Sequence, residues 1–417
     1  MRILKLTPEA EARLMKGRES QDRAAYRAAA RIVADVRRRG DLALDIWCRK
    51  LDGVDLHRDG LWLSQREMAA AKNRVGREFL GAVEHAARNV RRVAEKQLPR
   101  AWALEVEPGV KIAQLVRPVE SVGCYIPGGR FALFSTMVMT VAPAQVAGVE
   151  RILVVCPRAN DELLAVADLL GVRHLARIGG AHAIAAMAYG TTRIAPVEKI
   201  FGPGNRYVTA AKQIVSGDCA IDLPAGPTEA IVLARGGNPR WIAADLLAQA
   251  EHAPDAASYL VTPSARLANQ VQEEVTAQLK LLPRTSPAHI SREKAGAILL
   301  TRTWDEGIDF VNRFAPEHLS LPESSPALLD RIRSAGTIFA GHLSAQPFGD
   351  YASGSNHVLP TGGWARRRGG LSASDFVKQI SVQTISSTGY RRLASDVQAM
   401  ARAEGLLAHA NAVEVRK

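Results

Sequence analysis

RILVVCPRANDELLAVADLLGVRHLARIGGAHAIAAMAYG, residues 151–190, reads as strand, helix, strand, helix. ILVVC (152–156) and HLARI (174–178) are short apolar runs with polar or turn-forming neighbours, the pattern of strands in a buried sheet. Helical spacing fills 160–170 between them and 180–189 after them. Such alternation predicts a parallel sheet with helices on both faces. It continues downstream in the runs 229–234 (EAIVLA), 258–262 (SYLVT), 297–301 (AILLT) and 337–341 (TIFAG), with helical segments near 203–216, 240–252 and 264–281. These are too many strands for one modest sheet, and 417 residues are too many for one hydrophobic core. Two α/β units are predicted.

Upstream, residues 20–97 read as helix. Ala24, Ala28, Ile32 and Val36 recur at helical spacing, and Gly40 is a natural stop. Ser64-Gln65-Arg66-Glu67 forms a capping box that opens an amphipathic segment running towards Leu98. The tail from 387 to 409 is helical again and polar on one side, as a docking arm would be.

Composition narrows the function classes. Apolar residues make up 47% and charged residues 23%, ordinary for a globular protein, and no run is long enough to span a bilayer. MRILKLTPEAEARLMK at the start is too quickly charged for a secretory signal. Cys48, Cys124, Cys156 and Cys219 are far apart, which argues against both a disulfide framework and a thiolate metal site. A cytoplasmic enzyme is predicted. The net charge of +12 is spread along the chain, with only Arg37–Arg39 and Arg366–Arg368 as runs, and no nucleic-acid-binding motif accompanies it. Neither nucleic acid nor membrane is an expected partner.

No strict GxGxxG follows the first strand, so a dinucleotide site cannot rest on that fingerprint. Glycine-rich turns do occur where α/β proteins bind ligands: Gly128-Gly129, Gly179-Gly180 opening a helix, and Gly202-Pro203-Gly204-Asn205 opening another. Polar constellations cluster later in the chain. In DLLAQAEH (245–252), Gln249 and His252 share a helix face, although alone they are simply two polar residues ending a helix. In FAPEHL (314–319), Glu317 and His318 are adjacent acid–base groups beside a strand end, and sheet ligands gather at carboxyl ends of strands. Asp350 and His357 lie in GDYASGSNHVLPT (349–361), part of a long stretch, 342–370, with little predicted secondary structure. Glu404 and His409 lie in AEGLLAH (403–409). Gln249, His252, Asp350 and His409 together would make a nitrogen–oxygen site suited to Zn²⁺ or Mn²⁺.

These motifs resemble histidinol dehydrogenases. GCYIPGG (123–129), IGGAHAIAAMAYG (178–190), GPGNRYVTAAK (202–212), PAGPTE (224–229), DLLAQAEH, FAPEHL, GDYASGSNHVLPT, LSASDFVK (371–378) and AEGLLAH fall in that family's order over essentially the whole chain. The resemblance implies two successive oxidations of L-histidinol to L-histidine, with NAD as cofactor and one Zn²⁺ per subunit. It implies zinc ligation by Gln249, His252, Asp350 and His409, and acid–base catalysis by Glu317 and His318. It implies substrate contacts at Thr228, His357 and Glu404, shared with His318 and the four ligands, and NAD contacts at Tyr125, His182 and Asn205. It also implies a homodimer of two incomplete Rossmann-like parallel-sheet domains, with a C-terminal arm that completes the partner's site. The expected division is a segment 1–20, a first domain of 21–124 with 228–370, an NAD-contacting second domain of 125–227, and an arm of 371–417.

The residue chemistry agrees with those roles. Loss of a hydroxyl proton as hydride departs needs a base with a pKa near working pH, which His318 would supply. Glu317 would activate the water that the second oxidation needs. Against the family pattern, His182 stands for glutamine, Thr228 for serine and Ala253 for glycine, and Arg366–Arg368 add charge after the substrate loop. The alternatives are a same-fold dehydrogenase acting on another small alcohol, such as a sulfonated propanediol, and a zinc hydrolase that uses no NAD.

Overall fold

The computed structural model describes residues 1–18, 23–128, 133–223 and 226–416. Gly129 of the first glycine turn, Pro224-Ala225 of PAGPTE and residues 20–22 of the helical region lie outside them.

The described residues form two parallel sheets and an antiparallel ribbon. In the first sheet, Ser121–Tyr125 lies at the centre. Arg151–Val155 and then His174–Ala176 extend it to one side, and Lys199–Phe201 and then Ala220–Ile221 to the other. Trp62–Leu63 adds a short antiparallel edge. The second sheet repeats this order. Glu229–Leu233 is central, with Ala257–Thr262 and Gly296–Leu300 on one side and His318–Leu321 and Thr337–Ala340 on the other. Arg2–Lys5 joins its edge in parallel. Each sheet thus reverses direction beside its central strand, the place where doubly wound folds open a crevice. Helices predicted at 160–170, 180–189, 203–216, 240–252 and 264–281 are observed at Asp161–Leu169, Gly180–Tyr189, Arg206–Val215, Pro239–Ala250 and Ala265–Leu279.

Three expectations change. The Ser64–Glu67 capping box is present, but the helix it opens, Gln65–Lys72, stops before a second one, Arg77–Gln97. Asn73 and Gly76, both poor helix formers, fall in the gap. The domain division also shifts. The Arg23–Arg39 helix packs on Gly180–Tyr189 and Arg206–Val215, and Gln65–Lys72 packs on Asp161–Leu169. Residues 23–97 and 121–125 therefore pack with the first sheet rather than with 228–370, while residues 1–18 pack with the second. Lastly, Trp102–Glu107, Val110–Pro118 and Val377–Ile385 pair as an antiparallel ribbon that the strand–helix pattern did not reveal.

The segment 342–370 joins the two units. Gln346–Tyr351 forms a short helix by the second sheet, while Val358 enters the core of the first. Asn356 donates to the Met139 carbonyl at 2.7 Å, and Asn89 to that of Ala352 at 2.8 Å. The long loop is ordered by satisfied backbone groups and buried apolar residues.

Candidate active site

Glu229–Leu233 and His318–Leu321 are neighbouring parallel strands in which Ala230 stands opposite His318. The residues that lead into them, Thr228 and Glu317, therefore meet at the amino edge of the second sheet. The acid–base pair thus begins its strand, whereas a carboxyl-end position was expected. At the carboxyl edge, the Glu323 carboxylate already fills the glycine turn, accepting from the Arg235 and Gly236 N–H groups at 3.0 and 3.2 Å.

Glu317 is buried. One oxygen accepts from the Thr228 hydroxyl at 2.5 Å and from the Glu229 N–H at 3.0 Å. Gln249 donates its amide to the Thr228 hydroxyl at 2.9 Å and receives that of Gln346 on its own oxygen at 2.8 Å. A directed chain thus runs from Gln346 through Gln249 and Thr228 to Glu317. His318 lies with Nδ1 3.6 Å from Glu317 and Nε2 3.8 Å from Asp350, and Nε2 is buried without a hydrogen-bond partner.

Burial inverts the usual order of this pair. It pushes the Glu317 carboxyl up to about 8, because the Thr228 and Glu229 hydrogen bonds offset only part of the desolvation. Burial, helped by His252, pushes His318 down to about 3. Burial thus favours the neutral form of both groups, so that His318 offers an unprotonated ring nitrogen.

His252 follows the last turn of Pro239–Ala250. Its Nδ1 lies 3.1 Å from the Ala248 carbonyl, leaving Nε2 to face outward. His357 is held on both ring nitrogens, Nδ1 at 2.8 Å from the Asp350 carbonyl and Nε2 at 3.1 Å from the Thr136 hydroxyl of the other unit. Burial pushes His357 down and Asp350 up. The structure therefore gathers Thr228, Gln249, His252, Glu317, His318, Asp350 and His357 around one place. It does not bring Glu404 and His409 there. Both are exposed where the Ser387–Ala403 helix gives way to Leu407–Glu414, and among the described residues neither side chain pairs with the body.

Tyr125, His182 and Asn205 gather at the carboxyl edge of the first sheet. The Tyr125 hydroxyl accepts from the Gly180 N–H at 3.1 Å, and Asn205 caps its helix through the Tyr207 and Val208 N–H groups. Gly202, at φ 112°, packs so closely on the Tyr125 carbonyl that a Cβ there would overlap it. His182 is fully buried, with Nε2 2.9 Å from Asp52, whose carboxylate also accepts from the Gly179 N–H at 3.0 Å. Asp52 thus caps the helix that the Gly179-Gly180 turn opens. Cys48, Asp52 and His182 place ligand atoms within 4.8 Å of one another. Burial and Asp52 push the Cys48 thiol up, and the Asp52 carboxylate already engages His182 and the Gly179 N–H.

The sequence reading missed Gln346, Glu229, Arg18, Asp52 and Thr136. Each acts on a site residue across a long sequence separation, and all but Glu229, the last residue of PAGPTE, stand outside the quoted motifs. Only Glu229, next to Thr228 at the start of an apolar run, carried a signal: an acidic residue entering a buried strand needs a partner.

Two similar doubly wound units, one with glycine turns at the carboxyl edge of its sheet and the other with a buried acid–base pair against their shared loop, define a two-domain α/β enzyme. The histidinol dehydrogenase family model matches residues 15–417. The histidinol dehydrogenase of Geobacillus kaustophilus is 47% identical over 397 residues, covering 94% of this chain and 93% of the relative. That of Methanothermobacter thermautotrophicus is 46% identical, covering 92% of each. The crystal structure of histidinol dehydrogenase from Elizabethkingia anophelis superposes with a TM-score of 0.93 at 37% identity, covering 100% of this chain and 98% of that one. The chain belongs to the histidinol dehydrogenase family and is an oxidoreductase.

Proposed function

We propose that this enzyme oxidises L-histidinol through histidinal to L-histidine, using two NAD⁺ and one water at a site with one zinc ion per subunit. The observation that carries this reading is the buried Glu317–His318 pair, set beside Gln249, His252 and Asp350 in a chain of this family.

The donor set suits zinc, with imidazole nitrogen, carboxylate and carboxamide oxygen in the body and His409 as the fourth ligand. His252 has the posture of a metal-binding imidazole, since a carbonyl holds Nδ1 and leaves Nε2 open. The orphaned His318 Nε2 beside Asp350 also fits a site completed by a bound group. Zinc held by Gln249, His252, Asp350 and His409 would supply a Lewis acid that orients the substrate, and NAD would supply the hydride acceptor for each oxidation.

His318, neutral and open at Nε2, accepts the substrate's hydroxyl proton, and the Glu317 and Asp350 carboxylates 3.6 and 3.8 Å from its ring, once ionised, stabilise the imidazolium that forms. Glu317, once ionised, takes a proton from the water that hydrates the aldehyde, and Thr228 fixes its orientation. His357 and Glu404 line the substrate, Tyr125 and Asn205 hold the cofactor at the other edge, and His182, buried against Asp52, supports the Gly179-Gly180 turn from beneath. Arg366–Arg368 do not argue for an anionic alcohol. Arg368 is bound to Asp375 and the Asp222 carbonyl, and Arg367 lies over Trp364.

The reading includes a homodimer whose arm completes the partner's site. Trp102, Leu104, Val106, Ile380, Met400 and Leu407 are exposed on the ribbon and arm. Alternation along the strands puts Ile380 on the ribbon face opposite Trp102 and Leu104, and exposed apolar groups on both faces mark an interaction surface. No described helix is long and apolar enough to cross a membrane, and we assign the reaction to the cytoplasm.

The test is NADH absorbance from the zinc-supplemented protein with histidinol, other amino alcohols and sulfonated diols. Two NADH per histidinol are expected. NADH from a sulfonated diol but not from histidinol would replace the substrate, and zinc-independent turnover would remove the metal.

A further inference from the structure

Arg18 ends the first helix, Pro8–Arg18, far in sequence from the acid–base pair, yet its guanidinium lies directly behind it. Nε donates to Glu229 Oε2 at 2.8 Å and Nη2 to the other oxygen, a bidentate pair with side chains 11% and 3% exposed. Nη1 donates to the Phe314 carbonyl and Nη2 to that of Ala315 at 3.4 Å, while the guanidinium lies 3.6 Å over the Phe314 ring.

Every one of these contacts falls one to three residues from the pair or its hydroxyl partner. Glu229 follows Thr228, its N–H donates to Glu317, and its carbonyl lies 3.4 Å from His318 Nδ1. Phe314 and Ala315 lead through Pro316 into Glu317 and His318. Ala315 sits at φ 53°, a left-handed conformation that a non-glycine residue holds only when its surroundings impose it. The Glu229 carboxylate also accepts from the Gly362 N–H at 3.1 Å, on the segment that carries Asp350 and His357. One planar, five-donor cation therefore ties together the entry to one strand, the strained turn before another, and the substrate loop. A lysine has neither the fork nor the reach to do all three.

We propose that Arg18 is a positioning residue for catalysis: through Glu229 and the 314–315 carbonyls it holds Glu317 and His318 in register with the substrate. It touches neither substrate nor cofactor. This rests on the roles given above to Glu317 and His318. A misplacement of about 1 Å at such a pair costs on the order of 10²-fold in rate.

The experiment compares wild type, Arg18→Met and Arg18→Lys as full-length, zinc-loaded protein, with melting temperature, zinc content, NAD affinity, kcat and KM all measured. Histidinol and histidinal serve as separate substrates, below the melting temperature of each variant. Arg18→Met is expected to bind zinc and NAD normally, keep KM within about threefold, and lose about 100-fold in kcat, with Arg18→Lys in between. Should Arg18→Met fail to fold because Glu229 is left without its counter-charge, Arg18→Met/Glu229→Gln removes that charge. The kcat loss is then expected in the folded double variant. A folded variant with kcat within about twofold of wild type, whatever its melting temperature, would overturn the proposal. If wild type turns over another alcohol instead, the same comparison runs on that substrate, so a wrong substrate and an idle Arg18 give different results.

Discussion

At the scale of single residues, burial and partners matter more than residue type. An exposed Glu-His pair would have a mostly ionised acid and a base about one-quarter protonated at neutral pH, whereas burial here favours the neutral imidazole and pushes the carboxyl up to about 8. His318→Ala should lose about 10²–10⁴-fold in histidinol turnover while zinc content and NAD affinity hold, the usual size of a lost general base. Near-normal turnover would remove His318 from that role. Glu317 should impose its own pH limb. Histidinal oxidation by wild type should rise as pH passes through about 8, where Glu317 becomes ionised. Glu317→Gln should be slow with histidinal and lack that limb, and a variant that keeps it would assign the ionisation to another group.

At the scale of elements, capping and strand order place the site. The Pro239–Ala250 helix is started by the Asn238 side chain and follows a central strand, so its far end returns to the sheet's amino edge beside Glu317. Gln249 and His252 arrive there by that geometry. The same helix carries Asp245, whose carboxyl burial pushes up to about 6. The folded state thus holds this proton more tightly than the unfolded chain does. The associated stability is complete below the ordinary carboxylate range and is lost as pH rises through about 6. Asp245→Asn should raise the melting temperature at pH 8, by roughly 1–3 kcal/mol of stability, and change it little at pH 4. Calorimetry at the two pH values checks this, and an equal shift at both would mean that charge is not the cause.

At the scale of the whole molecule, two sheets of the same strand order face different tasks, and the 342–370 segment links them. The ribbon and C-terminal helices stand out from this body with apolar groups exposed, and His409 is not at its own chain's site. If the arm crosses, His252→Ala and His409→Ala homodimers are both inactive, while a mixed dimer has one site with an intact body and an intact arm. Random mixing makes about half of the dimers mixed, so co-expression should restore roughly a quarter of wild-type NADH formation. Verified mixed dimers with no activity would show that the arm serves its own subunit.

Sequence alone determined the α/β class, the five helices between residues 160 and 281, and the polar motifs whose residues from Thr228 to His357 gather at one place. Those features are carried by local periodicity and by compact motifs such as FAPEHL and GDYASGSNHVLPT. It also located the Ser64 capping box, whose whole signal lies within four residues. Only the tertiary structure decided the rest. The ribbon escaped notice because its exposed strands lack a long apolar run, and the domain division moved because helix packing, not chain order, assigns residues 23–97 to the first sheet. The inverted proton affinities of Glu317 and His318, the Gln346–Gln249–Thr228 chain and the Arg18 clamp all depend on groups brought together from up to 300 residues apart. Desolvation and hydrogen bonding are properties of that assembled neighbourhood, and no local pattern encodes them.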